Sequence, residues 1–211
     1  MTGEDRVDEM IRRYPALGCC ENEIMNAATA IVDCFENGGK ILTCGNGGSC
    51  ADADHMVGEL MKSFEKKRPL PEDFTARLKQ TSPERGGYLA ENLQNALPAI
   101  SLCAQTSLFT AISNDMDADL VFSQQVAGYG KSGDVLFAIT TSGNSRNVVD
   151  AAITAKAKGL RVIGLTGKHG GAMKQYCDTI ICVPSTTTAD IQEYHLPVYH
   201  VICRIIENKF F

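Results

Sequence analysis

A histidine and a glutamate four residues apart, His55 and Glu59, have types and a spacing that could do chemistry. On a helix the two lie on one face, where they could form a surface ion pair, hold a divalent cation or supply a base. They follow a glycine-rich turn at residues 44–49 (CGNGGS), which joins an apolar run to a segment of helical composition. Such a turn exposes backbone N–H groups and the positive end of a helix dipole, so it predicts an anion site that suits phosphate. A tight connection without a ligand is the simpler alternative.

A second turn, at residues 140–145, repeats the order of strand, turn and helix. It carries hydroxyl groups on Thr140, Thr141, Ser142 and Ser145. One of these hydroxyls could simply cap the next helix. Four hydroxyls within six residues exceed what a cap needs, so the turn predicts phosphate binding.

Further candidates lie on the last predicted helix, at Gln192, His195 and His200. His55 and Glu59 with one downstream histidine would form an N,N,O site suited to zinc or a similar divalent ion. Spacing alone does not choose between His195 and His200. The pair Asn114-Asp115 follows another predicted helix and is either its polar end or a further part of the ligand site.

The elements that must position these side chains alternate between strand and helix. Apolar runs predict strands at residues 40–43, 98–103, 134–139, 160–165 and 179–183. Helical patterns cover residues 5–14, 18–37, 48–64, 88–96, 106–112, 119–129, 147–158 and 188–210. Apolar strands separated by helices predict a parallel sheet that is covered on both faces. In such sheets ligands bind beyond the carboxyl ends of the strands, where both turns lie.

Three segments stand apart from this alternation. Residues 65–87 contain charges, prolines and glycines without periodicity, and we expect a long loop with at most a short helical turn. The basic cluster from Lys62 to Arg68 is expected to form a solvated surface, or alternatively to steer an anionic substrate. An apolar stripe on residues 24–35 could pack on the core or, as an exposed stripe, form an interface with a partner subunit.

Composition limits the classes of function. A chain of 211 residues suits one domain, and a net charge of −5 gives little electrostatic support for binding nucleic acid. The nine cysteines follow no disulfide framework, which is typical of the reducing cytoplasm. The charged N-terminus is followed by no apolar signal region, and no apolar run reaches the ~20 residues of a membrane span.

Together these residues resemble the sugar isomerase (SIS) domain family, and within it the phosphoheptose isomerases. The similarity covers residues 18–64 and 98–208. It is carried by the CGNGGS turn with His55 and Glu59, by Asn114-Asp115, by residues 141–145 (TSGNS) and 165–168 (LTGK), and by residues 191–193 (IQE) with His195 and His200.

The resemblance implies a single SIS domain over residues 1–211, an α/β fold with five parallel strands in a flavodoxin-like order and helices on both faces. N-terminal helices within residues 1–37 would pack in a homotetramer, whose active sites combine residues of neighbouring subunits. Residues 65–97 would be an extended insertion relative to the family. They directly follow the predicted catalytic helix and could cover the site.

The same resemblance implies the site residues. Substrate would contact Asn46, Gly47, Gly48, Glu59, Asn114, Asp115, Thr140, Thr141, Ser142, Ser145 and Gln192. Zn²⁺ or a similar divalent metal would be held by His55, Glu59, Gln192 and His200, with His195 outside the metal shell. Glu59 as base and His200 as acid would convert sedoheptulose 7-phosphate to D-glycero-D-manno-heptose 7-phosphate through an enediolate.

Two other functions fit the same resemblance. SIS domains also serve as phosphosugar sensors and as protein adaptors, neither of which needs a base such as Glu59. Lyases or etherases of amino-sugar phosphates share the fold, but they leave the zinc-type residues unexplained. The retention of Glu59 beside His55 therefore favours an isomerase.

Overall fold

The computed structural model describes residues 2–211, and a parallel sheet runs through the centre of this part of the chain. Its strands are β1 (Ile41–Cys44), β2 (Ala99–Ser101), β3 (Val135–Thr140), β4 (Arg161–Thr166) and β5 (Thr179–Cys182). They lie in the order β2-β1-β3-β4-β5, and every neighbouring pair is parallel. This is the flavodoxin-like order that we predicted, in which the chain changes direction across the sheet between β1 and β3.

Helices cover both faces of the sheet. They are α1 (Gly3–Arg13), α2 (Glu21–Glu36), α3 (Gly48–Met61), α4 (Glu72–Thr81), α5 (Gly86–Asn92), α6 (Thr106–Asp115), α7 (Val121–Tyr129), α8 (Arg146–Ala157) and α9 (Thr188–Phe210). Short 3₁₀ helices occupy Pro15–Cys20, Ala118–Leu120 and Ala172–Tyr176. Helices α1, α2, α3 and α9 pack on one face, and α6, α7 and α8 on the other. Among the described helices, none combines the length and apolar character needed to cross a lipid bilayer.

Burial of the strands follows from this layering. All six residues of β3 are buried. Val135 and Phe137 belong to the core on the α9 side, whereas Leu136 and Ala138 belong to the core on the α8 side. Because side chains alternate across a strand, a sheet covered on both faces needs apolar residues at every position. That requirement explains the continuous apolar runs in the sequence.

The expectation of a long loop at residues 65–87 is wrong. This region contains the ten-residue helix α4 and the start of α5. Helix α4 buries none of its residues. The large apolar residues of α4, Phe74 and Leu78, lie four positions apart, but two residues without a buried face are too few to stand out as a helical pattern. The predicted helix at residues 88–96 is instead α5, which ends at Asn92.

The apolar stripe of α2 packs on the core, which confirms the first of the two alternatives, and the expectation of an exposed interface is wrong. Ile24, Ala27, Ile31 and Phe35 all lie in the core of the same subunit. Helix α2 packs against α9 and β5, which together cover its apolar face. Any contact with a second subunit therefore has to use another surface.

Arg68 does not lie on a solvated surface but is fully buried, which corrects the expectation for the basic cluster. Its guanidinium donates to Glu207 Oε1 at 2.9 Å, to the Leu60 carbonyl at 2.7 Å and to the Glu59 carbonyl at 2.9 Å. The two carbonyls belong to the last turn of α3, where intrahelical donors are missing. Arg68 thus caps α3 and joins it to α9.

His195 is fully buried, and burial lowers its pKa to about 4. In the unfolded chain the pKa is the ordinary 6.5. Between these two values the unfolded chain binds a proton that the folded protein does not, so the free energy of unfolding falls as the pH drops from about 6.5 to about 4. Each pKa unit corresponds to about 1.4 kcal/mol, which predicts a loss of about 3 kcal/mol from this residue.

Urea unfolding at pH 7.5 and pH 4.5 checks this prediction in the wild type and in His195→Leu. We expect the variant to lose about 2–3 kcal/mol less than the wild type between the two pH values. Comparing the pH dependence of the two proteins cancels the packing cost of the substitution and the titration of shared carboxylates. Equal losses in both proteins would show that His195 does not bind its proton on unfolding.

Candidate active site

The two polar turns meet at the point where the strand order reverses, between β1 and β3. The link is a pair of side-chain amides. Asn46 Nδ2 donates to Asn147 Oδ1 at 2.9 Å, and Asn147 Nδ2 donates to Asn46 Oδ1 at 3.0 Å. The turn at residues 44–49 and the turn at residues 140–145 therefore form one continuous polar surface. Asn147 was not among the site residues predicted from the sequence, although it follows the second turn by only two residues.

The hydroxyls of the second turn do not cap the helix that follows. Ser145 is the N-cap residue of α8, but no side chain caps this helix. Instead Ser145 Oγ lies 3.1 Å from Thr140 Oγ1, and Ser142 Oγ accepts from the Asn144 N–H at 3.1 Å. The capping alternative is therefore wrong for this turn. The hydroxyls lie beside an uncapped helix N-terminus, as phosphate binding requires.

The loop after β4 holds the second turn in place. Gly143 has φ +70°, and a Cβ there would collide with the Gly170 carbonyl. The Gly143 carbonyl accepts from the Met173 N–H at 2.9 Å, and the Thr141 carbonyl accepts from the Gly167 N–H at 3.0 Å. This close approach of two backbones is possible only with glycine at the contact. The turn is thus braced from the side opposite the glycine-rich turn.

The first turn begins α3 without a side-chain cap. Its N-cap residue, Gly47, has φ +57°, which favours glycine. The amide of Gln192 from α9 packs directly against Gly48, where a Cβ would overlap it. Gln192 is therefore placed over the glycine-rich turn, and its contact with substrate stays a prediction.

Farther along α3, His55 and Glu59 face His200 of α9. His55 Nε2 lies 3.1 Å from Glu59 Oε1, and Lys62 Nζ donates to Glu59 Oε2 at 3.0 Å. The Glu59 side chain is 10% exposed, and that of His55 is 44% exposed. The rings of His55 and His200 meet edge to face with centroids 5.0 Å apart. The structure thus brings His200 to this group, whereas His195 is buried in the core.

Burial is the main cause that lowers the pKa of His200. The neighbouring His55 and Arg204 also lower it, and the Glu59 carboxylate opposes them. His200 is therefore neutral at neutral pH. A neutral imidazole can bind a cation through one nitrogen or donate an N–H to a carbonyl oxygen.

The donor types fit a divalent cation, but the full set predicted for the metal is not gathered in one place. Within residues 2–211, no three or more His, Cys, Asp or Glu side chains form a group arranged to hold a metal ion. Gln192 lies against Gly48, two helical turns before His200 on α9. In favour of the site, His200 Nε2 is buried and has no hydrogen-bond partner in this part of the chain. Imidazole and carboxylate donors of this kind suit zinc. The metal remains a prediction.

Asn114 and Asp115 lie at the end of α6, where both are exposed. Asn114 Nδ2 donates to Asp115 Oδ1 at 2.8 Å. Within the described chain, no hydrogen bond joins them to either polar turn, so their contact with a ligand also remains a prediction.

Two further side chains of this site, Asp52 and Tyr199, were not predicted from the sequence. The Tyr199 hydroxyl lies 2.9 Å from His55 Nδ1 and 3.3 Å from Asp52 Oδ1. A signal for them exists, since Asp52 shares a helix face with His55 and Tyr199 precedes His200. Only the packing of α9 on α3 shows that the two meet.

Comparisons with known proteins were consistent with one another. The SIS domain family model matches residues 16–91 and 77–167 of this chain. A phosphoheptose isomerase of Rhodospirillum rubrum is 42% identical over 192 residues, 91% of this chain and 88% of that protein. A phosphoheptose isomerase of a Nitratiruptor species is 41% identical over 187 residues, 89% of this chain and 86% of that protein.

Solved structures gave the same result. A phosphoheptose isomerase from Francisella tularensis superposes with a TM-score of 0.77 and 33% identity, covering 99% of this chain and 100% of that one. The phosphoheptose isomerase of Neisseria gonorrhoeae superposes with a TM-score of 0.75 and 36% identity, covering 96% and 95% of the two chains.

Proposed function

This chain belongs to the SIS domain family and, within it, to the phosphoheptose isomerases, and we propose that its polar turns, Glu59 and His200 perform the isomerase reaction. It is an enzyme, an aldose–ketose isomerase of a sugar phosphate. Its reaction converts sedoheptulose 7-phosphate to D-glycero-D-manno-heptose 7-phosphate. The roles of the individual residues are our proposal.

The observation that carries the assignment of roles is the separation of two polar groups along α3. The phosphate-type turns lie at its N-terminus, and the buried carboxylate of Glu59 lies near its other end. Glu59 follows Gly48 by eleven residues, which is about 16 Å along a helix axis. Helical side chains lean toward the N-terminus of their helix, so the gap between the turns and the Glu59 carboxylate is shorter than this rise. It suits a sugar of several carbons that is bound by its phosphate and reacts at its far end. A triose phosphate is too short to reach both groups.

At the phosphate end, the turn at residues 140–145 supplies hydroxyls and the N-terminus of α8. These groups are braced by the loop after β4, so they are ordered before substrate arrives. Ordered donors hold a phosphate without a further loss of conformational entropy. This end positions the sugar so that its carbonyl lies beside Glu59 and His200.

At the carbonyl end, Glu59 removes a proton from C1 of the ketose. The electron pair of that C–H bond forms the double bond between C1 and C2, and the carbonyl oxygen on C2 becomes negative. His200 donates its N–H to this oxygen and protonates it. Glu59 then returns its proton to C2, the hydroxyl on C1 loses its proton to the imidazole, and the product is the aldose.

A divalent cation such as Zn²⁺, held by His55, Glu59 and His200, would supply Lewis acidity that stabilises the oxyanion. Gln192, the fourth predicted ligand, would have to leave its contact with Gly48 to join them. The unpartnered Nε2 of His200 supports this proposal. Because a carboxylate bound to a cation is a weaker base, Glu59 would have to leave the cation to remove the proton.

We also propose that the enzyme is a cytoplasmic homotetramer with active sites at its subunit interfaces. All nine cysteines are unpaired, which suits a reducing compartment. Met61 and Leu196 flank the catalytic group and are 46% and 40% exposed. Exposed apolar side chains around a site are typical of a surface that a second subunit covers.

An NMR assay of the purified, zinc-loaded protein tests this function. We expect conversion of sedoheptulose 7-phosphate to the heptose phosphate, and turnover of triose and pentulose phosphates that is slower by at least about tenfold, because they lose one of the two polar ends. Binding of these sugar phosphates without conversion of any of them would contradict the proposal. A phosphosugar sensor would then be the better assignment.

A further inference from the structure

Tyr199 of α9 is buried against α3, and its hydroxyl lies between two side chains of that helix. One contact is His55 Nδ1 at 2.9 Å, and the other is Asp52 Oδ1 at 3.3 Å. The second carboxylate oxygen, Asp52 Oδ2, is buried and has no hydrogen-bond partner in the described chain. Tyr199 is therefore the donor that this structure offers to Asp52.

The positions of the protons follow from what each group can donate. An ionised carboxylate only accepts hydrogen bonds, so Tyr199 donates its single proton to Asp52. The Tyr199 oxygen is then left as an acceptor, and the donor to it has to be His55 Nδ1–H. With the proton on Nδ1, Nε2 carries only a lone pair and faces the acceptor Glu59 Oε1 at 3.1 Å, so no hydrogen bond joins these two atoms. A cation between them would make this arrangement favourable.

The ring of Tyr199 also fixes the orientation of this group. It meets the His55 ring with centroids 5.5 Å apart and the His200 ring with centroids 5.0 Å apart, both edge to face. The two imidazoles are thus packed against one buried aromatic ring. Rotation of His55 would break both the ring contact and the hydrogen bond.

We propose that Asp52 and Tyr199 are positioning residues that hold His55 with Nδ1 protonated, so that the lone pair of Nε2 is directed toward Glu59 and His200. Neither residue has to contact substrate. Their role is that of the outer hydrogen-bond partners that commonly orient a metal-binding histidine. The inference rests on the proposed function, because it assumes a divalent cation between these side chains.

The first test observes the tautomer directly and needs no turnover. The chain has four histidines, so a long-range ¹H–¹⁵N spectrum of ¹⁵N-histidine-labelled protein contains few signals, and His55→Gln assigns those of His55. We expect wild-type His55 to show a protonated Nδ1. Tyr199→Phe, which removes only the hydroxyl, is expected to shift His55 toward the form protonated on Nε2. Asp52→Asn is expected to do the same, because an amide can donate to Tyr199.

The second test measures zinc affinity by competition with a chromophoric chelator. Loss of an outer hydrogen-bond partner typically weakens metal binding by about 10- to 100-fold, and we expect this loss in Tyr199→Phe. Tyr194→Phe, on the same helix, is the matched control and should bind zinc as the wild type does.

Two results would overturn the inference. One is a wild-type His55 that is unprotonated on Nδ1. This measurement uses only the wild-type spectrum to test the inference, so it holds even if a variant fails to fold. The other is a folded Tyr199→Phe protein with wild-type zinc affinity. Failure of the isomerase proposal can be told apart from these two results. In that case no sugar phosphate is converted, but the tautomer of His55 and the zinc affinities are as expected.

Discussion

Glu59→Gln is expected to lower kcat for sedoheptulose 7-phosphate by about 10²- to 10⁴-fold, the usual contribution of a general base. Glutamine has nearly the shape of glutamate but does not take up a proton at neutral pH. The neighbours of this carboxylate, His55 and Lys62, are polar and reach its two oxygens. They should therefore tolerate an amide, and the substitution should remove the base without removing the site.

Deuterium uptake at C1, followed by NMR in D₂O, is the sharpest measurement. A base that removes the C1 proton lets solvent deuterium enter this position, so we expect uptake in the wild type and none in Glu59→Gln. Glu193→Gln, an exposed carboxylate of α9, is the control and should behave as the wild type. Uptake that persists in Glu59→Gln would show that another residue is the base.

Zinc content has to be measured in the same protein, because we also place Glu59 among the metal ligands. Lost turnover with full zinc content supports the role of base. Lost turnover together with lost zinc supports only the role of ligand. The two roles of one carboxylate are separated in this way.

Removal of the Arg68 side chain is expected to destabilise the protein strongly. Arg68→Met leaves the buried Glu207 carboxylate without its cation and leaves the Glu59 and Leu60 carbonyls without their donor. Breaking one half of a buried ion pair typically costs about 3–5 kcal/mol. Because one of these carbonyls belongs to Glu59, we also expect reduced isomerase activity.

The charge of Glu207 explains why Arg68→Met is expected to lose so much stability. Burial by itself raises the pKa of this carboxyl, but hydrogen bonds from the Phe64 and Glu65 N–H groups and from Arg68 outweigh it, so the pKa is lowered. The carboxylate is therefore charged at neutral pH and has to be compensated. The backbone donors stay in Arg68→Met, but the compensating cation does not.

Urea unfolding at neutral pH measures this loss. The matched control is Arg77→Met, which breaks an exposed ion pair with Asp73 on α4. Exposed pairs of this kind contribute less than about 1 kcal/mol. Similar losses of unfolding free energy in Arg68→Met and Arg77→Met would show that burial of Arg68 adds nothing to stability. Arg68→Lys keeps the charge but not the planar fork of the guanidinium, and its loss of unfolding free energy is expected to lie between those of Arg77→Met and Arg68→Met.

Local sequence was sufficient to predict a strand, helix or turn wherever the burial or the turn of that element leaves a pattern in its own residues. The β3 strand was predicted because both of its faces are buried, which leaves a continuous apolar run. The turns at residues 44–49 and 140–145 were predicted because glycines and hydroxyls lie where a strand ends and a helix begins. By contrast, α4 is a helix that buries none of its residues, and its two apolar residues at helical spacing, Phe74 and Leu78, were too few to reveal it.

Local sequence failed where the environment of a side chain depends on distant residues. Arg68 follows two lysines and was placed in solvent, but its partner Glu207 is 139 positions away. The choice between His195 and His200 likewise depended on which face of α9 packs on α3. Tyr199 contacts His55 across 144 positions.

The sequence by itself determined the alternation of strands and helices, the places of both polar turns and the chemistry available there. These follow from apolar periodicity and from turn residues, which act over a few positions. Only the tertiary structure decided which titratable groups are buried and paired, because burial and pairing depend on the packing of α3 against α9. The proposed catalytic group is assembled by that packing, so its residues are visible in the sequence but their arrangement is not.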